Sequence, residues 1–314
     1  MDDVSRVLIT GCAGFIGSHA VDNFLSSGYF VCGVDCLTYA GDLKNLDCAF
    51  QDKNFNFFKI DICKTYEIMQ LCEQLRIEWI INFAAETHVD NSIESCERFI
   101  HSNINGVKSL LECCRQTGIK LLHVSTDEVY GSIDQGSFTE DSKLNPKNPY
   151  SATKASAEHL ITAYNNTHGV DFLMVRPSNN FGPRQHKEKF IPTILESLMC
   201  DKKIPIYGDG SNVRDWLYVK DNVEAIRFIL ENSKLNETFN VTLNDERSNI
   251  ETVNIILDKL QKDFEENIEF IPDRPGHDFR YSIDNSKLLY LGFGSTPSFE
   301  DHIKETINFF KSEM

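Results

Sequence analysis

Positive charge is scarce in this chain of 314 residues: 31 Lys and Arg stand against 47 Asp and Glu, a formal charge of −16. A surface this acidic repels polyphosphate, which argues against nucleic acid and against an anionic membrane as partners. Any anionic ligand would have to be met by a few placed cations inside a pocket. Long apolar runs are missing too. No window approaches the roughly 20 residues of a membrane span, and the opening M-D-D-V-S-R lacks the basic start and apolar run of a secretory signal. The sequence therefore predicts a soluble, cytoplasmic protein. Metal-ligand spacings are absent as well: none of the ten cysteines forms C-x-x-C, and the nine histidines include neither H-x-x-x-H nor H-E-x-x-H. Cys32 and Cys36 have no second pair to complete a site. The expectation is no metal, and thiols that stay reduced as small core residues, with Cys32, Cys63, Cys72 and Cys113 inside apolar runs.

What the chain does have is apolar material, 41% of its residues, enough for one large core or two unequal ones. Short β-branched runs at 7–10, 30–35, 55–61, 79–83, 121–125 and 172–176 alternate with helical patterns at 15–27, 65–76, 97–117 and 150–168. Strand and helix alternating at this spacing predict an α/β fold with a doubly wound parallel sheet, covered on both faces. Beyond Asn179 the elements shorten between Gly, Pro and Asn, with helical patterns at 189–200, 220–231, 249–262 and 298–312. The expected division is a dinucleotide-binding domain over 1–180, with a returning segment near 215–240, and a smaller mixed α/β lobe over 181–314. The cleft between them, outside the carboxyl ends of the strands, is the expected site.

Residues 11–17 read G-C-A-G-F-I-G, directly after one predicted strand and directly before a helix. Gly11 suits a tight turn, Gly14 lets backbone approach a pyrophosphate, and Gly17 allows close helix packing. Phe15 and Ile16 then offer amides at the positive end of the helix. The next strand ends at Asp35, eighteen residues after Gly17. A carboxylate there can bind both ribose hydroxyls of an adenosine and would repel a 2′-phosphate, so the cofactor expected is NAD. Asp61, ending the third strand, is a second candidate near the adenine.

Tyr150 and Lys154 sit in Y-S-A-T-K at a predicted helix start, on one face. A phenol has a pKa of about 10, and a nearby ammonium and an oxidised nicotinamide both favour its ionised form. Such a tyrosine can take a proton from a sugar hydroxyl. Alone, Y-x-x-x-K is a common helix pattern; behind a dinucleotide turn it is a strong signal. Upstream, S-T-D-E-V-Y-G runs off the fifth strand, with Thr126 placed to hydrogen-bond a substrate oxygen. Asp127 and Glu128 follow. Taken alone, two acids at a strand end are as readily a solvated turn as a site. In a pocket their pKa values would separate into one acid and one base, which fits elimination of water.

With these segments in view, the chain resembles the extended short-chain dehydrogenase/reductases, and within them the nucleotide-sugar 4,6-dehydratases of the dTDP-glucose type. The likeness also runs through V-D-C-L-T-Y-A-G-D-L-K-N-L, N-F-A-A-E-T-H-V-D-N-S-I, R-P-S-N-N-F-G-P, P-I-Y-G-D-G-S-N-V-R-D-W-L-Y-V-K-D and D-R-P-G-H-D-F-R-Y. T-D-E before V-Y-G is the most discriminating piece, because the related 4-epimerases and decarboxylases, which are the alternative reading, typically lack the Asp-Glu pair. The resemblance implies that Tyr150, helped by Lys154 and Thr126, deprotonates the carbon 4 hydroxyl of a nucleotide-diphosphate glucose as hydride passes to NAD. Glu128 would then take the carbon 5 proton while Asp127 protonates the hydroxyl leaving carbon 6, and hydride would return to carbon 6. The product would be a 4-keto-6-deoxy sugar nucleotide, the first committed step toward deoxysugars such as rhamnose.

By the same resemblance Ile62, Phe83, Ala84, Ala85, Glu86, Ser102 and Asn180 would join the cofactor site, and Thr87 and Asn179 would face the sugar. Lys189, Phe190, Pro205, Ile206, Tyr207, Arg214, Asn249, Asp273, Arg274 and His277 would hold the nucleotide diphosphate. Cations converging there imply a positive pocket around Arg214 in an acidic protein. Thymidine and uridine substrates differ by one methyl group that spacing does not locate, so both remain open. Family members commonly pair helices corresponding to 97–117 and 150–168, which implies a homodimer. Three stretches depart from the usual pattern: Cys36 stands in place of a Lys, Asn91 in place of an Arg, and His101-Ser102 in place of Glu-Thr.

Overall fold

The computed structural model describes residues 4–273, 279–294 and 298–313. Its strands in chain order are β1 (Arg6–Thr10), β2 (Phe30–Asp35), β3 (Phe55–Lys59), β4 (Trp79–Asn82), β5 (Lys120–Val124), β6 (Phe172–Pro177), β7 (Asn179–Phe181), β8 (Ile204–Tyr207), β9 (Val213–Tyr218), β10 (Glu237–Val241), β11 (Glu246–Ser248) and β12 (Ile268–Ile271). Seven form one all-parallel sheet in the order β10-β6-β5-β4-β1-β2-β3. The six predicted apolar runs are its first six strands.

Alternation along each strand fills two cores. On β1, Val7 and Ile9 pack with Ala20, Val21 and Phe24 of helix Phe15–Ser26 and with Val223, Ile226 and Ile229 of helix Val219–Asn232. Leu8 points the other way, toward Ile68 and Leu71 of helix Thr65–Leu75, Leu110 of Val107–Thr117 and Ile161 of Pro149–His168. A strand covered on both faces must be apolar at odd and even positions alike, which is why these runs read as continuous rather than alternating. Strand order reverses between β1 and β4, and the crevice that opens there at their carboxyl ends holds the site.

The second lobe is built from the sheets β11-β9-β7 and β12-β8 with helices Phe190–Met199, Asn249–Leu260 and Phe299–Ser312 around a third core. β10 and the helix before it return to the large sheet. Two details escaped the periodicity. Helix Val89–Glu94 is too short to show a repeat. The predicted helix over 97–117 is wound as a π-helix at Ile100–Gly106, between Glu97–Phe99 and Val107–Thr117.

All ten cysteines are free thiols. Cys12, Cys32, Cys72, Cys113 and Cys114 are buried, as small core residues should be, but Cys63 is only half-buried because it follows β3 onto the sheet edge. No helix among the described residues is long and apolar enough to cross a membrane.

Candidate active site

Gly11 turns the chain off β1 with φ +64°, and a Cβ there would stand 2.7 Å from the Ala84 amide nitrogen. At Gly17 a Cβ would come within 2.1 Å of the Gly11 carbonyl oxygen. Only glycine fits either position, and the pair draws helix Phe15–Ser26 tightly onto the turn. Gly14 caps that helix without a side chain, and Gly14, Phe15 and Ile16 line the cleft, so the helix's first amides and its positive end open onto it. Asp35, buried at the end of β2, accepts from the Ala13 amide at 3.0 Å and the Leu37 amide at 2.7 Å. Burial raises its pKa against the pull of those amides. Asp61, Ile62, Phe83, Ala84, Ala85, Glu86, Ser102 and Asn180 line the same cleft of about 940 Å³. A backbone cradle at a helix end and a strand-end carboxylate in one cavity fit a dinucleotide.

The catalytic candidates meet at the carboxyl end of β5. Thr126 accepts from the Glu128 amide at 3.3 Å and donates to Asp127 Oδ1 at 3.2 Å. Asp127 is buried, and its other oxygen, Oδ2, has no hydrogen-bond partner among the described residues. Burial, then the charges of Glu128 and Asp215, push its carboxyl well above the usual range. Glu128 is half-buried and accepts from Asn148 Nδ2 at 3.3 Å. The two acids thus sit in different surroundings one residue apart.

Asn148 also starts helix Pro149–His168, in a capping box with Ser151 and with Pro149 at the first turn. Tyr150 is carried on that turn, buried and hydrogen-bonded to Thr126. Burial and the charge of Glu128 raise its phenol. One turn deeper, Lys154 Nζ donates to the Val124 carbonyl at 2.7 Å and lies 3.4 Å from His123 Nε2. Burial lowers its pKa to about 8. The sequence led to a phenol eased toward ionisation by the ammonium. Among the described residues Lys154 instead spends its hydrogen bonds on β5, so the protein alone holds Tyr150 protonated.

Behind Lys154 runs a buried chain that the sequence reading missed. Thr10 Oγ1 and Asn82 Oδ1 are 2.6 Å apart, Asn82 Nδ2 and His123 Nδ1 3.0 Å, and His123 is buried between Asn82 and Lys154. Its signal was present: a buried polar side chain at the carboxyl end of a strand covered on both faces needs a partner there. A second buried group braces the segment after β5. Arg176 pairs with Glu158 at 2.6 Å and donates to Tyr130 Oη, while Ser125 Oγ donates to Glu158 Oε1.

On the other side of the cleft lie Thr87, Asn179, Lys189, Phe190, Pro205, Tyr207, Arg214 and Asn249. Lys189 Nζ donates to the Thr87 carbonyl at 3.2 Å, and Phe190 stacks on Trp216. Arg214 donates to the Val213 carbonyl at 2.7 Å, with its guanidinium 4.7 Å from the Tyr281 ring centroid. Ile206 does not join them: alternation along β8 sends it into the small lobe's core while Pro205 and Tyr207 face the cleft. Asp273 lies beside Gly208, outside the lining, and Arg274 and His277 lie outside the described residues. Of the cations expected around Arg214, Lys189 and Arg214 line the cleft, whose described lining as a whole carries Lys154, Arg184, Lys187, Lys189 and Arg214 against nine acids.

A doubly wound sheet whose glycine turn, strand-end Asp35 and Thr126, Tyr150 and Lys154 share one cleft defines an extended short-chain dehydrogenase/reductase. Residues 8–306 match the sequence model of the family described as GDP-mannose 4,6 dehydratase, and the chain belongs to that family. It is 44% identical to a low-salt glycan biosynthesis protein of Haloferax volcanii, over 97% of this chain and 98% of that one. It is 41% identical to a dTDP-glucose 4,6-dehydratase of Xanthomonas campestris, over 96% of this chain and 92% of that one. Among solved structures, a dTDP-glucose 4,6-dehydratase of Streptomyces venezuelae with NAD and TYD bound superposes with a TM-score of 0.94 at 39% identity, covering 98% and 97% of the two chains.

Proposed function

We propose that this protein uses NAD to dehydrate a nucleotide-diphosphate glucose, with dTDP-glucose as first candidate, to the 4-keto-6-deoxy sugar nucleotide. The observation that carries the reading is the Asp127–Glu128 pair: a buried carboxyl with a free oxygen and a raised pKa beside a half-buried one, in the cleft that holds Tyr150. Oxidation at carbon 4 alone needs no second acid.

In this reading Tyr150 accepts the proton of the carbon 4 hydroxyl, with Thr126 holding the same oxygen. NAD, when bound, would supply the two-electron acceptor for oxidation at carbon 4 and the hydride donor for reduction at carbon 6 after water has left, and its positive ring would offset the burial that otherwise keeps Tyr150 protonated. The ketone acidifies the hydrogen on carbon 5, which Glu128 takes. Asp127, protonated by virtue of its burial, gives its proton to the carbon 6 hydroxyl, which departs as water. Glu128 returns its proton to carbon 5. The proton held by Tyr150 replaces the one lost from Asp127, so the net change is loss of one water. Arg214 and Lys189 are the described cations on the diphosphate side.

The finer points of the same proposal are a cofactor domain over 1–180 with the returning segment near 215–240, a substrate lobe over 181–314, cytoplasmic location, a homodimer and a place in deoxysugar synthesis such as that of rhamnose. Free thiols support the location, and exposed Ile100, on the helical run proposed to pair, supports the dimer. Parallel incubations with dTDP-glucose and UDP-glucose, scored for 4-keto product, test the reading. A product from dTDP-glucose at the higher rate is expected; no 4-keto product from either would refute it.

A further inference from the structure

The turn after β3 brings two ligand-type side chains against a third from the π-wound segment. Asp61 Oδ1 accepts from the Cys63 amide at 2.9 Å, and Asp61 Oδ2 lies 3.1 Å from His101 Nε2. Cys63 Sγ donates to the His101 carbonyl at 3.3 Å. One carboxylate oxygen, one sulfur and one imidazole nitrogen fall within 4.8 Å of one another. The fold builds this approach. Gly106 has no side chain because Ile62 occupies its place, a Cβ there meeting Ile62 Cδ1 at 2.4 Å, so the 61–63 turn lies directly on the helical segment that carries His101. Cys36, exposed on the same cleft, is within electrostatic reach of both Asp61 and Cys63.

Sulfur, imidazole and a single carboxylate are the donors of a borderline thiophilic cation; magnesium and calcium call for oxygen alone. Tetrahedral zinc places sulfur and nitrogen or oxygen donors roughly 3.5 Å apart, a short contraction from the observed spread. His101 and Asp61 have the freedom for it, their side chains being 54% and 37% exposed. We infer that Asp61, Cys63 and His101, with solvent completing the coordination, bind a thiophilic divalent cation of the zinc type, and that the bound cation competes with the adenosine half of the dinucleotide. The ligating thiol gives up one proton to solvent, and nothing is oxidised or reduced. Competition follows from Asp61, which lines the cleft and cannot serve a cation and an adenine together. Only this second half rests on the cofactor reading above.

The test is a titration of the full chain with zinc chloride against a chelating indicator, with and without NAD, repeated with cobalt(II) to look for a thiolate-to-metal absorption band. The expected result is one zinc per chain, a cobalt–thiolate band, and at least about tenfold weaker binding in Cys63→Ser and in His101→Ala, both at positions open enough to tolerate the change. NAD should raise the apparent zinc dissociation constant in proportion to its concentration. Zinc uptake that is unchanged in Cys63→Ser and His101→Ala would overturn the site, since the exposed Cys48, Cys96 and Cys200 would then be the binders. Zinc binding lost in the variants yet indifferent to NAD would overturn the competition. A chain that binds zinc this way but never binds NAD would remove the cofactor reading and leave the metal site standing.

Discussion

Lys154 Nζ and His123 Nε2 face each other at 3.4 Å inside the protein, with Asn82 on the histidine's far side and the Val124 carbonyl on the lysine. Burial and the lysine's charge drive the His123 pKa down, so the imidazole is neutral, and its one proton must choose a side. A neutral ring whose Nδ1 carries that proton offers Nε2 as acceptor to the ammonium. That tautomer needs Asn82 Oδ1 on His123 and Asn82 Nδ2 on Thr10, the reverse of the placed amide, whose Oδ1 accepts from Thr10 Oγ1 at 2.6 Å.

His123→Leu removes that acceptor without removing volume. The ammonium keeps one carbonyl, so Lys154 should titrate below the value of about 8 set by burial in the wild type. The alkaline limb of kcat/KM should move down in pH, and His123→Gln should restore part of the shift. A pH–rate profile unchanged in His123→Leu would show the histidine to be mere packing.

Asp127→Asn keeps the shape and removes the proton donor. Turnover should fall by roughly 100-fold or more, with NAD binding unchanged by calorimetry. Stability carries a second signature. A carboxyl whose folded pKa is raised lends stability below its unfolded pKa and loses it as pH rises through the folded one. Denaturant melts from acid to neutral pH should therefore show the wild type losing ground to Asp127→Asn as pH climbs past the ordinary carboxylate range.

Glu158→Gln leaves the buried Arg176 guanidinium without its counter-charge. Such breaks cost about 3–5 kcal/mol. The midpoint of urea unfolding should drop accordingly. Loss of the brace on Ser125 should also lower kcat more than it raises KM, a split that simple destabilisation would not produce.

Arg214→Ala should weaken nucleotide-sugar binding by roughly tenfold to a hundredfold, the worth of a charge-assisted hydrogen bond of about 1.5–3 kcal/mol. NAD affinity should stay within about twofold, since the guanidinium lies over Tyr281 on the other side of the cleft. Equal losses for both ligands, measured by calorimetry, would contradict the assignment.

Much of this was legible in the chain because it is local. The glycine turn, Asp35 at a strand end, and Thr126 to Glu128 after β5 all follow from strand-end positions, and four residues suffice to put Tyr150 and Lys154 on one helix face. What stayed hidden depends on packing between distant segments. Asn82 and His123 read as members of apolar runs, and only the pairing of β1, β4 and β5 lines them up behind Lys154. Asp61, Cys63 and His101 form no spaced motif, since Gly106 and Ile62 bring them together. Ile206 was drawn into the site by its neighbours, and the alternation of β8 removes it.

The most direct test of the dehydratase reading is mass spectrometry of the product from dTDP-glucose turned over in heavy water. The account predicts a sugar nucleotide that has lost one water and gained a single deuterium at carbon 5, because Glu128 is open enough to exchange its proton. A product of unchanged mass, epimerised at carbon 4, would contradict it.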